Sequence, residues 1–146
     1  MEFLERVVNA MVNLHPWHSL MVHFPTAFAT VGVLCMLYAL WRKSELFEKF
    51  AFFCMVVTAA GTALSGLAGL RDNWVHFDGG APYLNLKIFL AASLLLMSTV
   101  TAIIRWRKHD LLWNPSTRIL YLSAYVGAFL LATVLGFVGG SIVYGF

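Results

Sequence analysis

The sequence predicts an all-α integral membrane protein, a four-helix up-down bundle preceded by a short interfacial helix. Three observations carry that prediction. The first is composition: of 146 residues, 60% are hydrophobic and 12% charged, with a mean hydropathy of +0.77. Soluble domains stand nearer half apolar and a quarter charged. The second is length. The stretches at about 20–41, 50–70, 84–104 and 119–142 each reach the ~20 apolar residues needed to cross a hydrocarbon core of ~30 Å. They contain no Asp, Glu or Arg, and Lys87 alone enters, one turn from an end. The third is spacing: the connections are short, which favours antiparallel neighbours. Residues 1–146 therefore read as a single membrane domain.

Charge sets the expected orientation. The pI of about 9.1 would suit a nucleic-acid binder, but the basic residues are not gathered on a soluble face. Arg42, Lys43 and Lys49 separate the first two spans, and Arg105, Arg107, Lys108 and Arg118 the last two. The other side holds Arg6, Arg71 and, at its edge, Lys87. Seven cations against three is a positive-inside pattern, so nucleic acid is excluded as a partner. Loops 42–49 and 105–118 are expected in the cytoplasm, and both termini and the loop 71–83 outside. Trp17, Trp74, Tyr83 and Tyr144 fall at the outer boundary, with Trp41, Trp106, Trp113 and Tyr121 at the inner one. Two such aromatic belts are what membrane interfaces favour.

The elements follow in order. "MEFLERVVNAMVNL", 1–14, sets Phe3, Leu4, Val7, Val8 and Met11 on one helical stripe, with Glu2, Glu5, Arg6, Asn9 and Asn13 largely elsewhere. That periodicity suits an amphipathic helix lying on the membrane surface; a frayed terminus is the plainer reading. Pro16 ends it. Glu2 and Glu5 occupy the place of a cationic signal-peptide start, so the first span is the expected signal-anchor. Gly61, Ser65 and Gly69 in the second span, and Ala128, Ala132, Gly136 and Gly140 in the fourth, recur every four residues. Such ladders let helix backbones approach closely, or give a flat porphyrin a seat. The first and third spans are bulkier. Cys35 and Cys54 lie inside spans without any CxxC or CxxCH spacing, and read as small buried hydrophobes. "RDNWVHFDGGAP", 71–82, reads as the sizeable outer loop, turning at Asp78-Gly79-Gly80 and re-entering the membrane at Pro82.

"HPWHSLMVHFP", 15–25, holds three of the five histidines. His23 lies near the start of the first span, where an ionisable group is a functional candidate by default. Pro25 fits a helix's first turn. Zinc would want three or four convergent ligands, which this spacing does not force. Haem b needs one or two axial nitrogens, a greasy pocket and a cation for its propionates. His23 and His76 share a side as candidate iron ligands, with His18 and His15 shallower, and Arg71 or Lys87 could pair with propionates. The alternative is structural: a histidine that bonds a backbone carbonyl and ties the outer helix ends. His109, beside Lys108 and Asp110, reads as a solvated loop residue.

The stretch resembles a family of bacterial membrane proteins catalogued as a domain of unknown function. Its members carry His-Pro-x-His-Pro-x-x-Val-His-Phe-Pro ahead of a first span. His15, Pro16, His18, Val22, His23, Phe24 and Pro25 match, and Ser19 stands in place of the second proline. "SGLAGLRD", 65–72, is similar to the end of that family's second span. Where many members have a histidine before an asparagine at the start of the third span, this chain has Tyr83 and Asn85, so His76 would have to substitute. The resemblance implies a haem-associated, electron-transfer setting in a bacterial inner membrane.

The expected function is a multi-pass subunit of a larger redox or energy-transducing complex, with haem b at the outer face. The alternative is a purely structural accessory subunit without cofactor. No nucleophile with a base, paired carboxylates or phosphate loop points to an enzyme in its own right. Transport is disfavoured, because no helix reads as broken at mid-membrane. Lipid and other membrane subunits, or further copies of the chain, are the expected partners.

Overall fold

The computed structural model describes the backbone of residues 2–10 and 17–144, and side chains as far as 140. Its helices are α1 (Glu2–Asn9), α2 (Trp17–Met21), α3 (His23–Arg42), α4 (Glu45–Phe77), α5 (Leu84–Arg107) and α6 (Pro115–Tyr144). Four helical stretches are long and apolar enough to cross a membrane, with α2 and α3 together making the first, Trp17–Arg42. Bonds from Val22 N to His18 O (3.0 Å) and from Thr26 N to Val22 O (3.4 Å) carry the chain from α2 into α3. Pro25 sits in the first turn of α3, where its missing N–H is no loss.

The helices run further than hydropathy alone indicates, and the loops shrink accordingly. Between α3 and α4 only Lys43 and Ser44 remain. Lys43 is left-handed (φ 51°), and its amide and that of Ser44 both donate to the Ala39 carbonyl. Between α5 and α6 only residues 108–114 remain. Asn114 starts α6 by accepting the Ser116 amide on Oδ1 (3.1 Å). The largest correction is at 71–77, expected as loop and found as the last two turns of α4. Nothing before Gly79 breaks the helix. It ends where Asp78 turns left-handed (φ 48°), with the Asp78 and Gly79 amides both on the Asn73 carbonyl.

α3 packs on α4 and α6, and α5 packs on the same two helices, so four antiparallel helices close a ring. Each turns a stripe inward at alternating spacings of three and four. The stripe runs through Pro25, Ala29, Gly32, Met36 and Ala39 on α3, and Glu48, Ala51, Met55, Thr58, Thr62, Ser65 and Asp72 on α4, with Val33, Cys54, Gly61 and Asn73 buried beside it. On α5 the stripe is Leu94, Ser98, Thr101 and Arg105, and on α6 Tyr121, Tyr125, Ala128 and Ala132. This is the seven-residue seam of closely aligned helices. Apart from Met36, Met55 and Leu94 the seam is small or polar, while Leu34, Phe53, Leu64, Phe89, Leu96, Leu130 and Phe137 point outward. In a bilayer that inversion is stable, because lipid tails are as apolar as leucine and packing drives association. The buried hydroxyls satisfy themselves: those of Thr58, Thr62, Ser98 and Thr101 each donate to the carbonyl four residues back.

α1 is exposed throughout, with Phe3, Leu4 and Val8 uncovered and Glu2 paired to Arg6 at 3.7 Å. Residues 11–14 of the amphipathic segment lie outside the described residues. The two ladders part company. A Cβ on Gly61 would stand 3.1 Å from Pro25 Cδ, so α3 and α4 meet there. Ala128 and Ala132 are buried, but a Cβ on Gly136 or Gly140 would meet nothing within 4 Å. The fourth-span ladder therefore leaves the bundle halfway along. We expect Gly61→Leu to lower the thermal stability of purified protein by about 1–3 kcal/mol through overpacking, and Gly136→Leu to leave it unchanged. Equal melting of the two variants would contradict this division.

Candidate functional site

The polar contacts collect at the two ends of the bundle. At the histidine end, α2 lays His18 against α4. Its ring Nδ1 is 2.8 Å from the Ser65 carbonyl, and its backbone amide donates to Asp72 Oδ2 at 2.8 Å. A carbonyl only accepts, so the Nδ1 proton is fixed there and a neutral ring keeps its lone pair on Nε2. Gly69 makes the approach possible, since a Cβ there would lie 2.8 Å from Nδ1. Buried Asp72 is held in turn by Arg71, whose Nη1 donates to Oδ1 at 3.0 Å and whose guanidinium lies over the Trp17 ring. Lys87, half-buried on the first turn of α5, is within electrostatic reach of the His18 ring.

The sequence-predicted set is thus partly gathered. His18 and Arg71 meet at Asp72, with Lys87 within electrostatic reach of the ring; His15 lies outside the described residues. His23 was expected to face the bundle and instead is exposed. The register explains this. Counting back from Pro25 in steps of three and four reaches Val22 and then His18, so His23 falls off the seam. His76 is exposed on the last turn of α4. Among the described residues, no three of His, Cys, Asp and Glu converge on one point.

The other end, where the basic residues lie, holds a network that hydropathy missed. Glu48 and Arg105 are 1% and 6% exposed. Arg105 Nε and Nη2 donate to Glu48 Oε1 and Oε2 at 2.5 and 2.6 Å, a bidentate fork. Tyr121 adds its hydroxyl to Oε1 (3.1 Å) and meets the Tyr125 hydroxyl at 3.3 Å. Arg105 Nη1 is 2.8 Å from His109 Nδ1, so His109 belongs to the network although its side chain is exposed. Both charges lie within two turns of a helix end, just beyond the limits drawn around uncharged residues. A carboxylate and a guanidinium at matched depths on consecutive spans were the available signal.

A family model described as predicted membrane protein (DUF2231) matches residues 14–146. The chain belongs to that family. No curated protein and no solved structure matches the chain significantly. The DUF2231 region begins just ahead of His15 and leaves α1 outside it, so both polar ends belong to the family's domain.

In this DUF2231 bundle the Glu48–Arg105 pair is a clamp across α4, α5 and α6. Removing one partner strands the other in a dry interior, whereas replacing both with apolar groups does not. We expect Glu48→Ala to cost about 3–5 kcal/mol and the double variant Glu48→Leu/Arg105→Met to recover most of it. Denaturation in detergent micelles would measure both. A single variant as stable as the parent would show that the pair contributes nothing.

Proposed function

We propose that this DUF2231 protein is a membrane subunit of a redox or energy-transducing assembly, binding haem b at the histidine end through His18. It is a subunit, not an enzyme in its own right. The observation that supports this reading is the imidazole's fixed state. The Ser65 carbonyl sets its tautomer, Asp72 holds its backbone amide, and Gly69 sets its depth. Liganding histidines are held in this way, with the other ring nitrogen on a carbonyl or carboxylate. The residues fit a single axial ligand from this chain, with Lys87 at hand for a propionate; Arg71 is already engaged by Asp72. Haem held there would supply one-electron transfer. The chain's own part is to orient the ring, keep its Nε2 lone pair available and place the site at a membrane boundary. In this reading the domain sits in a bacterial inner membrane with its basic loops in the cytoplasm.

One observation favours the alternative, a structural subunit without cofactor. The His18 ring and backbone-amide bonds are also ties between α2 and α4, made without a ligand. Absorption spectra of protein purified after expression with haem supply separate the two. The haem reading expects a Soret band that His18→Ala abolishes and that His23→Ala and His109→Ala retain. A wild type without a band, whose His18→Ala variant loses about 1–3 kcal/mol of stability, supports the structural reading. Orientation is tested separately by reporter fusions. Those at Ser44 and Asn114 should report cytoplasm and one after Phe146 the exterior; opposite signals from the two loops would refute the scheme.

A further inference from the structure

We infer that the basic end of the bundle is a binding surface for anionic phospholipid headgroups. The ends of all four spanning helices meet there, because Glu48, Arg105 and Tyr121 bond the first turn of α4 to the last turn of α5 and the start of α6. Lys43 and Ser44 join α3 to the same end. That network consumes the one buried cation of this end internally. Of the other six, Arg118 is half-buried and donates to the Leu112 carbonyl, while Arg42, Lys43, Lys49, Arg107 and Lys108 are exposed. Among the described residues none of the five has an ion pair. Only two exposed carboxylates, Glu45 and Asp110, stand among them.

Two further features place this surface at headgroup level. Trp41 and Trp106 are 74% and 73% exposed on the last turns of α3 and α5, where indole rings mark a membrane interface. The Arg42 guanidinium lies 5.4 Å from the Trp41 ring centre, so a cation and an interfacial ring stand side by side. Exposed cations that form no ion pair among the described residues, spread around a helical bundle at this depth, match a leaflet of phosphate diesters carrying net negative charge. The opposite end has no such excess: Arg71 pairs with Asp72 and Arg6 with Glu2, and Lys87 is offset in number by Glu5 and Asp78. The surface is independent of the haem reading and stands if that reading fails.

Tryptophan quenching by brominated lipid tests it on the full chain. In a Trp17→Phe/Trp74→Phe/Trp113→Phe variant the remaining indoles, Trp41 and Trp106, report only the basic end. The variant is placed in vesicles mixing phosphatidylcholine with phosphatidylglycerol, bromine being carried by one lipid or the other. We expect brominated phosphatidylglycerol to quench with about fivefold preference, the strength of one cation–headgroup contact. Adding Lys43→Gln, Arg107→Gln and Lys108→Gln should reduce the preference toward unity. So should about 0.5 M salt on the protein with those cations intact, which keeps the test independent of folding of the neutralised variant. A protein retaining only Trp17 and Trp74 should show no preference. Equal quenching by the two lipids at low salt would overturn the inference and leave the surface to an acidic soluble partner. A preference that survives neutralisation and salt, or that is equal at both ends, would overturn it as well.

Discussion

The inward stripe of α4 is where apolar surroundings and polar residues collide, and the rest of the bundle is arranged around that collision. From Glu48 through Thr58, Thr62 and Ser65 to Asp72, this helix buries polar groups along its length. Inside hydrocarbon each must be met by protein. The hydroxyls fold back on their own backbone. The two carboxylates cannot do that, and each recruits other elements: Glu48 takes Arg105 and Tyr121, and Asp72 takes the His18 amide and Arg71. The positions of α2, α5 and α6 against α4 follow from those needs as much as from shape.

The two ends solve the same problem in different ways. Glu48 meets its opposite charge from another helix, in a fork closed by a phenol, so the site is neutral and its main polar atoms are occupied. That geometry suits a clamp. Asp72 is neutralised by its own neighbour Arg71, and its second oxygen is spent on a backbone amide. The effect is to hold His18, whose ring then has one nitrogen committed to Ser65 and the other electronically open. That geometry suits presentation of a ligand. Two acidic residues on one helix face thus end in unlike roles, because their cations arrive from different places in the chain.

Much of this was legible in advance. Composition and four apolar runs identified the spans, since crossing a bilayer needs length and hydrophobicity and little else. Charge asymmetry marked the basic end. The histidine-rich stretch marked one end of the bundle, but depth along the chain did not predict which of its side chains packs against α4. His23 lies deeper in the chain's path than His18, yet register decides which side chain enters. Pro25 was the visible marker of that register. The seam itself was hard to see because hydropathy ranks large apolar residues such as Leu and Phe high, and here most of those on the spans face outward. Ladders of small residues showed it in part, correctly at Gly61 and Gly69 and misleadingly at Gly136, where spacing continues after the helix has lost its neighbour.

By itself the sequence determined what local physics controls. That comprises four membrane-length helices joined by short connections, a turn at Asp78-Gly79-Gly80, and a cationic end opposite a histidine end. Helix length, turn chemistry and net charge depend on neighbours along the chain. Only the tertiary structure decided which polar groups became partners. The links from Glu48 to Arg105 and from His18 to Ser65 span 57 and 47 residues, and each forms because folding brings two polar groups to the same depth on facing helices. Residue types do not encode such a coincidence one at a time; it exists only when the seams of α2, α4, α5 and α6 are brought into register.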